Sequence, residues 1–456
     1  MRLIARYAKD LGNDFEVVDV YDKKVIKEKI PKDNPTIKTL AKKYPCAIWF
    51  ERKMSDDFGI IIKDTFDKRP LVHQERFPRN IHPMVKSFTD KEIGYAEYVP
   101  YRYEAISGEG VFQVSVGPIH AGIIEPGHFH FSQAGEGMLH QEVRHFYKYR
   151  AIEKMVEGKT LLEAKAIIER ISGNESIAYQ IALRDIASMA CGSRITPNKR
   201  KRDAFLLELE RVIHHLTDLG FIANDAGFGA ALAYGSKLSE DARRKMKELT
   251  GSRFGFGAVF SQSSILDEES LKRYLDKLYD DINFFQEWIT DIPSLWDRFD
   301  TTGILDKKNA LKYCSVGVVA RASGVVNDRR SDTFYLDNGF KAVNEVSGDV
   351  GARFKVRINE VKNSIEMMRN FLYGETLPPL DITTPKDGEY MSFTESSLGE
   401  LFMSIDIKDG VIERFFARDP SFVNWQALHL MMRADIIADF PLINKSCDLS
   451  YAGNDL

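Results

Sequence analysis

Three histidines and one glutamate lie in a single segment that contains glycine and proline, residues 111–135, and they are well suited to proton transfer. The histidines are His120, His128 and His130, and the glutamate is Glu125. Histidine changes its charge near pH 7, and a carboxylate held among apolar strands can exchange protons near neutrality. The segment is therefore a candidate proton relay. The alternative is a hairpin whose polar side chains have no chemical role.

The same histidines offer nitrogen ligands for a metal. His128 and His130 are two residues apart, a spacing that places both side chains on one face of a strand. No third ligand is evident beside them, and we predict no metal site.

Charged residues also cluster on and after a long predicted helix. Glu210 and His214 are four residues apart, so they can pair on one helix face. Arg321, Asp328 and Arg329 follow later in the chain, where a structural ion-pair network is the favoured interpretation over a functional role.

The four cysteines, Cys46, Cys191, Cys314 and Cys447, are far apart, and none belongs to a CxxC pair. This spacing argues against a disulfide framework and against a zinc or iron–sulfur site built from this chain.

The net charge is −4, so the composition shows no excess of basic residues that would favour binding to nucleic acid. No apolar run reaches the ~18–20 residues of a membrane span, and the first ten residues do not resemble a signal peptide.

The pattern of apolar residues predicts an α+β protein. The N-terminal part reads as a small α/β unit, with a strand at 15–21, an amphipathic helix at 35–44 and an irregular proline-containing arm at 66–85. Residues 111–135 read as two strands around a Gly/Pro loop.

The remainder reads as mainly helical. Thr160 and Glu163 form a capping-box pattern, and Pro197 suits a first helical turn. Helices are predicted at 139–157, 160–171, 176–189, 197–220, 239–249, 268–289, 351–372 and 424–437, with a pair of strands at 390–395 and 401–407.

Six ordered motifs resemble one group of proteins. Trp49-Phe-Glu-Arg-Lys-Met-Ser-Asp-Asp-Phe-Gly-Ile resembles the signature of the 30 kDa-type subunit of respiratory complex I. Val116-Gly-Pro-Ile-His-Ala-Gly and the residues up to Phe131 resemble the first hairpin of the large subunit of group 4, energy-converting NiFe hydrogenases. Tyr149-Arg-Ala-Ile-Glu-Lys resembles a helix shared with the complex I 49 kDa-type subunit. The remaining motifs are Glu208–Leu216, Arg321–Gly324 with Asp328–Arg330, and Gly348–Arg353.

The resemblance covers nearly the whole chain and matches the fused large subunit of formate hydrogenlyase-type hydrogenases. It implies a complex I 30 kDa-like domain at 1–90, a linker or arm at 91–110, and a mainly helical hydrogenase large-subunit-like domain at 111–456 that begins with a β-hairpin.

The metal ligands of that family are missing here. Relatives hold the NiFe centre with two CxxC pairs, and the corresponding positions in this chain are Ser172, Glu175, Ser450 and Gly453. Leu398 stands where relatives carry an arginine over the iron. Soft thiolates suit nickel and iron, whereas a serine hydroxyl is a poor nickel ligand and glycine offers no side chain. We therefore expect no NiFe centre and no other metal bound by this chain.

Glu175 is the least expected of these replacements. It could line a polar cavity or carry protons, or it could pair with an arginine such as Arg321 and fill the void. By the resemblance, Glu125 takes the place of a proton-relaying carboxylate, and His120 or His128 that of a histidine that donates a proton to quinone in complex I. Arg321, Asp328 and Leu398 are expected beside the same cavity.

The resemblance implies a core subunit of a membrane-associated, ion-translocating oxidoreductase complex, on the cytoplasmic side of the membrane and peripheral to it. Its expected partners are a small iron–sulfur subunit and membrane-embedded, antiporter-like subunits, with quinone as a candidate electron acceptor. The alternatives are a catalytically silent structural or coupling subunit and a divergent hydrogenase. An open, polar cavity at the former ligand positions would favour a redox role, and a filled one a structural role.

The C-terminal stretch 446–455 would by itself read as a coil. The resemblance instead makes it half of a dismantled metal site, and the chain stops three residues after Gly453, as a complex I-type subunit would. We therefore expect it to be buried and to lie beside Ser172 and Glu175.

Overall fold

The computed structural model describes residues 1–89, 93–121, 124–262, 267–372, 380 and 382–456. Part of the predicted linker (residues 91 and 92) and part of the predicted hairpin loop (residues 122 and 123) lie outside these ranges. The α+β class is confirmed, with a β-sheet in the N-terminal part and a mostly helical remainder.

The N-terminal part contains an antiparallel sheet, a small parallel pair of strands and one helix. These elements are β1 (Leu3–Asp10), β2 (Asp14–Tyr21), β3 (Val25–Pro31), β4 (Thr36–Lys38), α1 (Ala47–Phe58) and β5 (Ile61–Lys63). The helix predicted at 35–44 is wrong, because β4 pairs in parallel with β5 and the helix begins only after Pro45. The predicted strand at 15–21 is confirmed as part of β2, and 66–85 holds turns but neither helix nor strand.

The predicted hairpin is the first half of a three-stranded antiparallel sheet. Its strands are β6 (Val111–Val116), β7 (His128–Ala134) and β8 (Gly137–Arg144). The helix predicted at 139–157 is wrong, because the chain turns at Gly135 and runs back along β7 as far as Arg144. Only α2 (Ile152–Val156) of that range is helical.

The helical part holds most of the buried core. Its helices are α3 (Leu161–Ile168), α4 (Ser176–Cys191), α5 (Pro197–Asp225), α6 (Gly229–Thr250), α7 (Glu268–Thr290), α8 (Pro293–Phe299), α9 (Lys307–Lys312), α10 (Gly317–Ala322), α11 (Thr333–Asp337) and α12 (Val350–Asn370). The capping box at Thr160 is confirmed in both directions.

Helix α5 continues five residues beyond Gly220, its predicted end. A Cβ at Gly220 would lie 3.1 Å from the carbonyl oxygen of Ala231, and one at Gly235 would lie 2.7 Å from that of Leu216. These glycines therefore allow α5 and α6 to pack backbone against backbone.

The chain closes with a third antiparallel sheet and short helices. These are β9 (Gly388–Glu395), β10 (Glu400–Lys408), β11 (Val411–Arg418), α13 (Pro420–Asn424), α14 (Leu428–Met431), α15 (Phe440–Cys447) and α16 (Tyr451–Asp455). The single helix predicted at 424–437 is wrong. Its residues form a 3-10 turn and α14, because the Asn424 amide bonds the backbone of Val316 and Ala434 has a positive φ.

The first and last sheets pack on each other. The ring of Tyr7 stacks on that of Phe416 with centroids 4.4 Å apart, and Arg418 donates to the carbonyl oxygen of Ile4. The N-terminal part therefore shares a core with the C-terminal sheet. The segment that follows this sheet leads into the candidate site. Within the described residues, no helix has the length and apolarity needed to cross a membrane.

Candidate functional site

The four positions that correspond to metal ligands lie where the C-terminal tail meets the start of α4. The hydroxyl oxygens of Ser172 and Ser450 are 3.2 Å apart, and Ser450 caps α16 by accepting a hydrogen bond from the N–H of Gly453. The tail is helical and mostly buried rather than a loose coil. Its predicted burial and its position beside Ser172 are confirmed.

A carboxyl group that no sequence motif indicates occupies the space beside Gly453. A Cβ on Gly453 would lie 2.1 Å from Oδ2 of Asp419, so the glycine makes room for that carboxyl group. Asp419 is buried, accepts the hydroxyl of Tyr179 at 2.9 Å and caps α13 through the N–H of Ser421. Only this last role is visible in the sequence, as an Asp-Pro helix start.

Glu175 faces Asp419. The hydroxyl of Ser396 donates to Oε1 of Glu175, and the side chain of Asp419 lies within hydrogen-bonding reach of the Glu175 carboxyl group. Burial, and then the adjacent Asp419, raise the pKa of Glu175 well above its usual value. Glu175 therefore keeps its proton to a higher pH than an ordinary glutamate does. Glu175 does not pair with Arg321. An ion pair with this arginine was one of the two roles predicted for Glu175, and it is not formed.

The site offers hydroxyl and carboxyl oxygens instead of thiolates. Among the described residues, Cys447 is the cysteine nearest in sequence to Ser450, but it is buried against Met431 with its sulfur 3.5 Å from that thioether. Hard oxygen donors do not suit nickel and low-valent iron, and Asp419 fills the room that a side chain at position 453 would need. These residues do not fit a NiFe centre.

Leu398 lies in the turn between β9 and β10, which packs against the site. Leu398 is buried, and Ser396 in the same turn reaches Glu175. Glu395 begins the turn, and burial, followed by the neighbouring Asp328, raises the pKa of Glu395 to about 7.

Arg321 and Asp328 belong to a buried ion-pair network beside this turn. Arg321 bonds Glu360 and Glu395 at 2.7 Å each and Asp328 at 3.2 Å. Although burial opposes it, the guanidinium groups of Arg330 and Arg321 hold the pKa of Asp328 below its usual value. The geometry agrees with the structural interpretation of these residues.

Glu210 does not pair with His214. It accepts hydrogen bonds from the N–H groups of Ile177 and Ala178 at the start of α4, two residues from Glu175. Burial raises the pKa of Glu210 to about 8. This face of α5 is buried, and the carboxyl group of Glu210 bonds the start of α4 instead of His214.

His214 contributes to a cluster that fastens the tail to α5. Its Nδ1 lies 3.4 Å from Asp448 and 3.7 Å from Asp218. Lys445 and Arg357 contact the carboxylate of Asp218 at 3.5 and 3.0 Å. Because cations already neutralise these acids, the cluster is a salt-bridged clamp rather than a metal site.

The structure brings Glu125 to the tail as well. Its Oε2 accepts the N–H of Ala452 at 2.8 Å, and Oε1 lies 3.7 Å from Lys148. The side chain is 40% exposed, so it lies at the edge of the site rather than among apolar strands.

The hairpin histidines make different contacts. Nε2 of His120 is 2.7 Å from the carbonyl oxygen of Gly127. His128 and His130 both pack on the ring of Tyr103, with centroids 4.8 and 4.6 Å from it. Burial, and then His130, lower the pKa of His128 to about 4, so it is neutral near pH 7. Proton donation by His120, His128 or Glu125 stays a prediction.

We expect Glu175→Gln to change how stability depends on pH. A carboxyl pKa raised in the folded state gives stability that is fully present below the unfolded pKa and is lost as pH rises through the folded pKa. The amide keeps the shape of the protonated group but does not titrate. Urea denaturation at increasing pH above the ordinary glutamate pKa should show the free energy of unfolding of the variant rising relative to that of the unchanged chain, by up to about 1.4 kcal/mol per pH unit.

Glu248→Gln is the matched control, because the side chain of Glu248 is 60% exposed. It should give a pH profile parallel to that of the unchanged chain. A parallel profile for Glu175→Gln too would show that Glu175 is not protonated in the folded chain.

Two family profiles match the chain. The profile described as "Respiratory-chain NADH dehydrogenase, 30 Kd subunit" matches residues 3–92, and the profile described as "Respiratory-chain NADH dehydrogenase, 49 Kd subunit" matches residues 225–379.

Individual proteins match over longer stretches. Formate hydrogenlyase subunit 5 of Escherichia coli (strain K12) is 27% identical over 450 residues, which cover 94% of this chain and 79% of the relative. An NADH-quinone oxidoreductase subunit of Dehalococcoides mccartyi is 28% identical over 360 residues, which cover 74% of this chain and 96% of the relative.

A solved structure shares the fold. It is described as the "Structure of the membrane-bound sulfane sulfur reductase (MBS), an archaeal respiratory membrane complex". One of its chains superposes with a TM-score of 0.70 at 19% identity, covering 76% of this chain and 99% of that chain.

Proposed function

Because the chain joins a complex I 30 kDa-type domain to a complex I 49 kDa-type domain and is homologous to formate hydrogenlyase subunit 5, we propose that it is the core large subunit of a membrane-associated, ion-translocating oxidoreductase complex that works without a NiFe centre. One observation carries the second half of the proposal. The four cysteine positions of the hydrogenase relatives meet in space, but they carry oxygen ligands or no ligand, and Asp419 fills the gap.

The acceptor of electrons then differs from that of a hydrogenase. Without a metal that can reduce protons, electrons must leave the complex on another molecule, and quinone is the candidate because one relative is named an NADH-quinone oxidoreductase subunit. Direct contact between Ser172 and Ser450 leaves no room for that molecule between the two serines. The acceptor would therefore bind outside the former ligand positions.

The Glu175–Asp419 pair gives this chain a role in proton handling. Two buried carboxyl groups that share a proton can release or take it up when the charge beside them changes. Tyr179, Ser396, Ser172 and Ser450 supply hydroxyl groups around the pair. An electron arriving on a neighbouring iron–sulfur cluster would provide such a change of charge.

The filled site also favours the second candidate, a catalytically silent coupling subunit. In that case the chain transmits conformational or charge changes between partners without exchanging electrons with quinone. Both candidates require the same partners: a small subunit that carries an iron–sulfur cluster and antiporter-like membrane subunits. The proposed location is peripheral, on the cytoplasmic side of the membrane. The net charge of −4 offers no surface for nucleic acid.

Affinity purification of the native complex from membranes tests the proposal. We expect iron and an iron–sulfur EPR signal from a partner subunit, nickel below one atom per ten chains, and no hydrogen uptake with methyl viologen as electron acceptor. One nickel per chain together with hydrogen uptake would overturn the proposal.

The two candidates are separated by mixing the dithionite-reduced complex, freed of excess reductant, with decylubiquinone and trapping the clusters for EPR. Rapid oxidation of the clusters supports quinone reduction by this complex. Clusters that stay reduced with decylubiquinone and with a menaquinone analogue support the silent coupling subunit.

A further inference from the structure

A cavity of about 330 Å³ lies between α4, α5, α11 and β9. Ile195, Phe334 and Phe393 form apolar parts of its lining, and each of these side chains is only partly buried. The former ligand positions do not line it, and no step of the proposed function uses it. Small-molecule sites have volumes of about 300–1,000 Å³, so the cavity has room for a small organic molecule.

Arg329 presents hydrogen-bond donors to this cavity. It belongs to the lining, its side chain is 35% exposed, and its guanidinium carbon lies 4.0 Å from the ring centre of Phe393. Its Nε donates to Glu400 at 2.6 Å, whereas within the described ranges Nη1 and Nη2 have no hydrogen-bond partner and are accessible to solvent. The guanidinium group is therefore held in place with both terminal nitrogens free to bind a ligand.

The positive charge of Arg329 is only partly neutralised, because its carboxylate partner is shared. Glu400 also bonds Arg2 at 2.6 Å and Arg418 at 2.5 Å. Among the residues that the structure describes, Glu400 is the one carboxylate within salt-bridge distance of any of these three arginines. One negative charge thus faces three positive charges beside the cavity. An anion in the cavity would offset this excess, which is costly where water is largely excluded.

The other charged groups of the lining are already paired. Three of them are carboxyl groups, and their pairs are Asp185 with Arg184, Asp332 with Arg200, and Glu395 with Arg321. Arg184 and Arg330 also line the cavity, and each bonds carboxylates through all three of its guanidinium nitrogens. The excess charge at Arg329 therefore dominates the electrostatics of the lining.

Arg200 adds a second guanidinium group to the cavity wall. Its side chain is 44% exposed, and its guanidinium carbon lies 4.2 Å from the ring centre of Phe334. Asp332 accepts a hydrogen bond from Nη2, and across the described part of the chain Nε and Nη1 have no partner. Planar guanidinium groups held in this way suit the recognition of phosphate and carboxylate oxygens.

We propose that this cavity binds a small organic phosphate monoester. Nη1 and Nη2 of Arg329 donate to two phosphate oxygens, and Arg200 adds electrostatic attraction. The organic part packs against Ile195 and the rings of Phe334 and Phe393. A phosphate monoester carries a charge of about −1.5 to −2 at pH 7, so it matches the excess of positive charge better than a monocarboxylate does.

Phenyl phosphate is the probe, titrated near pH 7 into the folded full-length chain, alone or in its complex, while the heat of binding is recorded. We expect a Kd of about 1 mM or tighter. Inorganic phosphate lacks the ring and benzoate carries a single charge, so each should bind at least about tenfold more weakly. Binding should also weaken as the salt concentration rises.

Two variants test the role of Arg329. Arg329→Gln removes the charge and should weaken phenyl phosphate binding at least about tenfold. Circular dichroism should stay unchanged, because Arg2 and Arg418 still neutralise Glu400. Arg329→Lys keeps the charge without the planar fork, so its affinity should lie between those of Arg329→Gln and the unchanged chain.

Arg298→Gln is the matched control. The side chain of Arg298 is 45% exposed and bonds Asp439 at 2.7 Å, and it lies on α8 outside the cavity. This variant should bind phenyl phosphate as the unchanged chain does.

Three results would overturn the proposal: no phenyl phosphate binding by the folded chain, equal binding by Arg329→Gln and Arg298→Gln, or inorganic phosphate binding as tightly as phenyl phosphate. The last would mean that the arginines bind ions at the surface without using the cavity. None of these results bears on the NiFe centre or on quinone reduction, so the proposed function stands or falls separately.

Discussion

Replacing Arg321 with alanine is expected to lower the free energy of unfolding by about 3–5 kcal/mol, because the change leaves buried carboxylates without their common partner. Arg321 is 1% exposed and bonds Glu360, Glu395 and Asp328 at once. Its guanidinium group holds the turn between β9 and β10, from which Ser396 reaches Glu175. The substitution should therefore lower the free energy of unfolding and also disturb the packing around the former ligand positions.

Urea denaturation followed by circular dichroism measures the effect. Arg273→Ala is the matched control, because the ion pair of Arg273 with Glu269 is exposed, and such pairs contribute about 1 kcal/mol or less. The cost of Arg321→Ala should shrink at low pH. Glu395, whose pKa is already raised to about 7, can then take up a proton instead of staying charged without a partner.

Arg321→Lys provides a second comparison. Lysine keeps the positive charge but cannot present the planar fork that bonds several carboxylates at once. We expect a loss between those of the alanine and control variants. A loss below about 1 kcal/mol for Arg321→Ala would mean that the network is hydrated in solution and does not stabilise the turn.

Local sequence signals predicted those elements whose ends are chemically marked. The capping box at Thr160 and the proline at the start of α5 place two helix starts correctly. The signals failed where distant pairing decides the structure. Residues 139–144 have a helix-like pattern on their own, but they pair with β7, and only the folded chain supplies that partner.

The same limit applies to the candidate site. Motif positions predicted that Ser450 would lie near Ser172, because the spacing of relatives carries three-dimensional information. No motif marked Asp419, since its approach to Gly453 depends on the path of α13 and α16. In the sequence Gly453 reads as a lost ligand, whereas in the structure it is the residue that admits a carboxyl group.

Gly453→Cys tests this interpretation, because it restores one cysteine of the hydrogenase pattern at a position where the carboxyl group of Asp419 already occupies the space. The new Cβ would lie 2.1 Å from Oδ2 of Asp419, and Asp419 is held by Tyr179 and by its cap on α13. We expect a loss of about 3 kcal/mol in the free energy of unfolding, at the upper end of overpacking effects.

The double variant Gly453→Cys with Asp419→Ala isolates the contact. Asp419→Ala alone should cost about 1–2 kcal/mol, since it removes the helix cap and leaves the hydroxyl of Tyr179 unpaired. Once the carboxyl group is gone, the cysteine has room, so the two losses should not add. A coupling of at least about 1 kcal/mol in the double-mutant cycle would show that Asp419 fills the former ligand position. Additive losses would instead mean that the tail accommodates the cysteine by moving, with the Glu175–Asp419 pair left intact.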